Sequence, residues 1–344
     1  MKLRFAMALA VVAAMLGAAS AETDLTGAGA TFPYPMYSKW FNEYHNQHSD
    51  IKINYQSIGS GGGIKQIQAG TVDFGASDGP MTDEQIAQTP GKVFHIPTVL
   101  GADVPTYKVN GVTGGLKFTP DVLADLFLGK IKKWNDPRLA KDNPGVKFPD
   151  EDIVIVHRSD GSGTTYIWTD YLSKVSSEWK DKVGKGTSVN WPVGLGGKGN
   201  EGVAGTVKQT EGSLGYVELI YAVSNKMPYG TVQNPAGSFV KASLDSVTAA
   251  AASVKDMPED FRVSITNAPG KTAYPISSFT WLLVPAEWKD ASKEKAFVDF
   301  LNWMVDKGQT MTAPLQYAPL PKNVAAKVKA RIKEIKVNGT SAKK

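Results

Sequence analysis

The chain has 344 residues, enough for two domains, and no cysteine, which excludes disulfides and a lipid anchor on an N-terminal Cys. Its formal charge of +5 sits at the two ends: setting aside Lys2 and Arg4, and the net +7 of residues 322–344, leaves residues 22–321 at −4. A nucleic-acid binder would instead carry a basic body with interleaved aromatics, so that class is excluded.

The first residues follow the plan of a secretory signal peptide. Lys2 and Arg4 form a positive start, Phe5 to Gly17 is an apolar run, and Ala19-Ser20-Ala21 supplies the small residues of a cleavage site. The run is too short to span a bilayer. Cleavage after Ala21 is expected, giving a mature chain from Glu22 in the periplasm. Three glycine-rich segments then punctuate an alternation of short strands and helices. Leu25 to Pro33 (LTGAGATFP) precedes a helical pattern at Met36, Trp40, Phe41 and Tyr44. Ile51 to Tyr55 alternates as a strand, and Ile58 to Gly63 (IGSGGG) opens a helix with Ile64 and Ile67. Asp73 to Ala76 and Ile153 to Val156 are the next short strands. Arg158 to Thr165 (RSDGSGTT) opens a helix through Ile167, Tyr171 and Leu172, and Val189 to Val193 is a candidate strand before Gly194. Two apolar extended runs stand out, Phe94 to Leu100 continuing to Tyr107, and Ser278 to Val284. The basic end, 322–344, reads as a helix with a solvated face followed by a frayed tail. The alternation predicts an α/β fold with parallel strands and crossover helices. If the two extended runs cross between domains, residues 22–100 and 278–344 form lobe I and 101–277 form lobe II, with the ligand cleft between them.

The three loops carry the chemistry. Glycine lets backbone approach a ligand, and the first-turn N–H groups of a helix point at an anion with the positive end of the dipole behind them. Ser, Thr and Gly are also ordinary helix caps, so one such loop is weak evidence. Three in one chain, two with hydroxyls beside glycines and one beginning with Arg158, point to a shared anion.

Other chemistries find little support. Gly194-Leu195-Gly196-Gly197-Lys198-Gly199 matches the dinucleotide pattern, but a lone match is weak, and Gly270-Lys271-Thr272 lacks the first P-loop glycine because Ile265 stands there. Ser60 and Ser162 are not framed as esterase nucleophiles, since Ile58 and Asp160 replace the leading glycine. His45 and His48 share a helical face without a third metal ligand, and His157 would point away from Arg158 on a strand.

The combination Thr26 to Pro33, Val72 to Asp78, Leu128 to Trp134, Arg158 to Thr164 and Gly194 to Gly199 closely resembles the phosphate-binding subunit of phosphate-specific ABC importers. The similarity runs from about residue 24 to about residue 335. It implies a two-lobed periplasmic-binding-protein fold of type II, joined by two hinge strands. It also implies a monomer that binds inorganic phosphate and hands it to membrane permease subunits, with no catalytic residue, cofactor or metal. The family's binding positions fall on Thr31 and Phe32 (the latter through its backbone N–H), Ser60, Asp78, Arg158, Ser162, Gly163 and Thr164. Gly61 departs from the family's serine and removes one hydroxyl; Gly79 replaces a small alanine. The alternatives are a secreted phosphatase-like enzyme, or a binder of another oxyanion such as sulfate or molybdate.

A carboxylate in an anion site has a physical use. Phosphate near neutral pH still carries a proton, its second ionisation lying near that of phosphoryl esters, about 6. An ionised carboxylate only accepts hydrogen bonds, so Asp78 suits that proton and opposes sulfate, which has none. Turn capping before Gly79-Pro80 is the competing use of Asp78. Arg158 offers a forked donor for an oxyanion, with Asp160 placed to hold it.

Overall fold

The computed structural model describes residues 22–337 and the short strand at 340–341. The expected signal peptide and its cleavage site lie outside the described residues, as does most of the expected frayed tail. The main sheet draws on β1 (Thr23–Gly29), β2 (Ile51–Ser57), β3 (Phe74–Ser77) and β4 (Val93–Lys108). A small sheet holds β5 (Lys117–Phe118); the main sheet continues with β6 (Val154–Arg158), β7 (Leu195–Gly197) and β8 (Ser213–Glu218). β9 (Thr231–Gln233) and β10 (Phe239–Val240) complete the small sheet, and β11 (Ser277–Pro285) returns to the main one. The main sheet has eight strands in the order β2-β1-β3-β11-β4-β8-β6-β7.

Within each flank the pairing is parallel, β1 with β2 and β3, and β6 with β7 and β8. Helices Tyr34–Gln47 and Ser60–Ala69 provide the crossovers on one flank, and Gly163–Val175 and Gly199–Gln209 those on the other. The two middle strands break the parallel rule, because β11 runs antiparallel to both β3 and β4, and β4 antiparallel to β8. β4 is one buried 16-residue strand that contains the whole expected run from Phe94 to Tyr107. Its residues 93–102 pair with β11 and its residues 103–108 with β8, so the chain passes between the flanks inside a strand. The register of β4 against β11 shifts between Thr280 and Trp281, where Thr98 is the extra residue of a bulge.

Local differences from the sequence pattern have simple causes. The first half of the Leu25–Pro33 segment is strand, not loop. Its Gly29 has φ +146° with a would-be Cβ 2.1 Å from Ala76 O, so that glycine serves strand packing rather than ligand approach. No strand forms over 189–193. Pro192 interrupts it, and pairing with β6 starts only after Gly194, whose φ is +118°. The terminal helix Lys322–Ile332 is present, but its face is not simply solvated. Arg331 is largely buried, with Nη2 donating to Glu259 O at 2.9 Å and Nη1 pairing Glu334 at 2.8 Å. Among the described residues no helix is long and apolar enough to cross a membrane.

Candidate functional site

The C-terminal ends of β1, β2, β3 and β6 converge where the two flanks face each other, which is where α/β sheets hold ligands. Each end delivers one part of the site: β1 brings Thr31 and Phe32, β2 brings Ser60, β3 brings Asp78, and β6 brings Arg158 with Ser162, Gly163 and Thr164 behind it. Thr31, Phe32, Ser60, Asp78, Arg158, Ser162 and Thr164 are each no more than 3% exposed. All eight residues singled out in the sequence therefore sit in one buried cluster. The flanks meet closely at Gly163, where an added Cβ would lie 2.5 Å from both Asp78 Oδ2 and Ser60 Oγ. Gly163→Ala is thus expected to obstruct closure and weaken ligand binding by about ten-fold or more, an overpacking cost. If the flanks part in the absence of ligand, the clash is lost there and the melting temperature of the ligand-free protein is expected to hold; scanning calorimetry beside a binding titration checks both.

Asp78 is held at both oxygens. Thr280 Oγ1 donates to Oδ1 at 2.8 Å, and Ser60 Oγ reaches Oδ2 at 3.4 Å while accepting the Asp78 N–H at 3.1 Å. The long Oδ2 contact leaves that oxygen open to a better donor. Burial pushes the carboxyl up to about 7, against the hydrogen bond from Thr280 and the charge of Arg158, which pull it down. The turn-capping use is not what the side chain does: it is Ser77 Oγ, not Asp78, that accepts the Gly79 N–H, at 3.2 Å.

Arg158 is forked onto Asp160, with Nε to Oδ1 at 2.8 Å and Nη2 to Oδ2 at 2.6 Å. Burial works against its charge, but this pair outweighs it and raises the guanidinium's pKa further. The pair is neutral as a unit, so an anion here meets mainly dipoles and hydroxyls. Ser162 caps helix Gly163–Val175 by accepting the Thr165 N–H at 3.0 Å, which still leaves its hydroxyl hydrogen to donate. Capping and anion binding are compatible in this residue.

Three residues escaped the sequence reading. Asn200 Nδ2 donates to Thr31 Oγ1 at 2.8 Å and to Thr164 Oγ1 at 3.0 Å, one hydroxyl from each flank. Arg158 Nη1 also donates to Thr164 Oγ1 at 3.2 Å. Both hydroxyls are saturated as acceptors, so each keeps its own hydrogen for a ligand. Asn200 stands in the first turn of the helix after the Gly194–Gly199 motif, whose glycines shape a turn here rather than a cofactor loop. Tyr221 OH donates to Thr31 O at 2.5 Å, tying the flanks directly. Thr280 comes from β11, beside the register shift, and its hydroxyl meets Asp78. Among the described residues no group of three or more His, Asp or Glu is placed to hold a metal ion. His45 instead bonds Ile51 O at 2.8 Å, and His157 stacks on Trp191.

Two lobes around a cleft of hydroxyl and amide donors, one guanidinium and the acid Asp78 define a substrate-binding protein, and residues 16–307 match the model of a PBP superfamily domain. A phosphate-binding protein PstS from Xylella fastidiosa (strain Temecula1) is 50% identical over 311 residues, spanning 90% of this chain and 85% of that protein. Another, from Pasteurella multocida (strain Pm70), is 47% identical over 330 residues, 95% of each chain. The chain belongs to the PstS family of phosphate-binding proteins. A solved structure of a phosphate-binding protein from Stenotrophomonas maltophilia shares the fold, with a TM-score of 0.69 at 19% identity over 92% of this chain and 96% of that one. A periplasmic phosphate-binding protein, PfluDING, solved with phosphate, does so with a TM-score of 0.71, also at 19% identity, over 90% and 93%.

Proposed function

We propose that this protein captures orthophosphate in the periplasm and delivers it to the permease of a phosphate ABC importer, acting as a monomer without catalysis. The observation that carries this reading is Asp78, a buried acid with one oxygen open to a donor, facing the Gly163 helix start and Arg158 across the cleft. The hydroxyls of Thr31, Ser60, Ser162 and Thr164, the amides at Phe32 and Gly163, and the Arg158 guanidinium donate to the phosphate oxygens. Asp78 Oδ2 accepts the proton that phosphate retains. Residues 22–100 with 278–344 move as one lobe and 101–277 as the other, with β4 and β11 bending between them, and phosphate favours the closed arrangement by bonding to both.

Calorimetric titration of the mature chain with phosphate and with sulfate tests this. Tight phosphate binding with little or no sulfate heat is expected; equal affinities remove Asp78 from its role, and turnover of a chromogenic phosphate ester would point to a phosphatase instead. A pH dependence follows from Asp78. Above about 7 it is a carboxylate that only accepts, and below that it is an acid whose O–H can be donated to sulfate. Sulfate should therefore compete better as pH falls through that value, measured by displacement of phosphate; a sulfate inhibition constant flat with pH contradicts the assignment.

A further inference from the structure

A second group of acids lies beside the loops, outside the donor set assigned to phosphate. Asp103 stands on β4 where pairing passes from β11 to β8, and its cross-strand partner is Glu218 at the end of β8. Residues directly opposite in an antiparallel pair share a face, with Cβ atoms about 4.5–5.5 Å apart. Both residues are 0% exposed. Glu218 Oε2 accepts the Ile220 N–H at 2.8 Å, and the neighbouring Tyr317 hydroxyl donates instead to Phe32 O at 2.5 Å, so Glu218 Oε1 and both oxygens of Asp103 lack a good hydrogen-bond partner among the described residues.

The charged and titratable groups facing Asp103 are Asp78 from the end of β3, Glu218 and Tyr216 from β8, Arg158 from β6, and Tyr274 from the segment before β11. They offer one cation against two further acids, and that cation is already engaged by Asp160. Burial first, and then the charges of Asp78 and Glu218, push the Asp103 carboxyl well above its ordinary range; burial does the same to Glu218.

We propose that Asp103, opposed to Glu218 at the junction strand, is a determinant of phosphate capture that takes up a proton as the lobes close and returns it to solvent as they part. This rests on the phosphate reading of the site. The balance is simple: a carboxylate hydrated in the open form gains one proton from the medium and becomes a neutral acid in the closed form. Two dry carboxylates side by side cannot both remain ionised, and water reaching the junction on opening removes that constraint. The closed form then has the higher pKa, so the proton favours closure fully below the open-form pKa. That help is lost as pH rises through the closed-form pKa. Phosphate and Asp78 titrate too, so affinity against pH alone does not isolate Asp103; counting protons does.

The experiment is calorimetric titration with inorganic phosphate in pairs of buffers of different ionisation enthalpy, which gives protons exchanged per phosphate bound. Wild type is compared with Asp103→Asn and Asp103→Leu, the latter expected to fold because an apolar side chain of similar volume replaces an unpartnered acid. Both variants should still bind phosphate while taking up on the order of one proton fewer per phosphate. Binding with an unchanged proton count overturns the proposal and leaves the phosphate reading standing. Failure of both variants to fold, judged by circular dichroism, assigns Asp103 a structural role and also overturns it. No heat from phosphate in wild type overturns the phosphate reading itself, and this proposal with it.

Discussion

Asp78→Asn is expected to erase most of the protein's preference for phosphate over sulfate. A site built around one required hydrogen bond rejects a ligand lacking it by roughly 10⁴-fold, and that margin depends here on a group that accepts and cannot donate. The asparagine amide turns the position into a donor, so a fully deprotonated oxyanion meets a hydrogen instead of a lone pair. Phosphate affinity should fall as well, because the phosphate proton loses its acceptor. The variant is in effect the wild-type site at low pH, held there at every pH, so the pH dependence of sulfate competition should flatten. Thr280 Oγ1 and Ser60 Oγ can still bond the amide, so the fold is retained. Titration of both anions into both proteins decides it; unchanged selectivity would mean that Asp78 does not face the ligand.

Arg158→Ala is expected to weaken phosphate binding by roughly 10²–10³-fold, as for truncation of one partner of a buried, hydrogen-bonded charge pair. Two losses combine. The anion loses the Arg158 cation, and Asp160 keeps backbone partners such as the Gly199 N–H at 3.0 Å, with its charge no longer paired. Thr164 also loses one of the two donors that aim its hydroxyl. Arg158→Lys should restore little, because an ammonium cannot reproduce the fork onto Asp160. Near-normal affinity in either variant, with folding verified by circular dichroism, would place the anion elsewhere.

The parts of the site legible in sequence were those whose chemistry is written locally. Arg158 to Thr164 places a forked cation, a cap serine and glycines within seven residues, and only an anion site uses them all. Ser60 and Thr31 sit in glycine-rich segments that announce a helix start. Asp78 has no such local signature, and only the family resemblance directs attention to it. Thr280 was invisible because it lies inside an apolar run that reads as an ordinary strand. Its position lies opposite the bulge at Thr98, a register property set by pairing between residues about 180 positions apart. Asn200 was hidden by a glycine motif with a more familiar meaning. For the fold, the α/β alternation and both crossing runs were readable. The reversed direction of the middle strands was not, since strand direction is decided by partners and not by composition.

The chain crossings between the flanks leave from the end of a two-stranded ladder rather than from flexible tethers. β4 and β11 are bonded to each other over ten residues of β4, from 93 to 102, and nearly every residue of both is buried. Such a joint behaves like a leaf spring. Under the proposed closure it would flex in one direction, resist swivel and sliding, and keep the two jaws in registration throughout the stroke. When the guest departs, the mouth would then open along the same track by which it shut, so that each new capture would begin from an aligned posture instead of a conformational search.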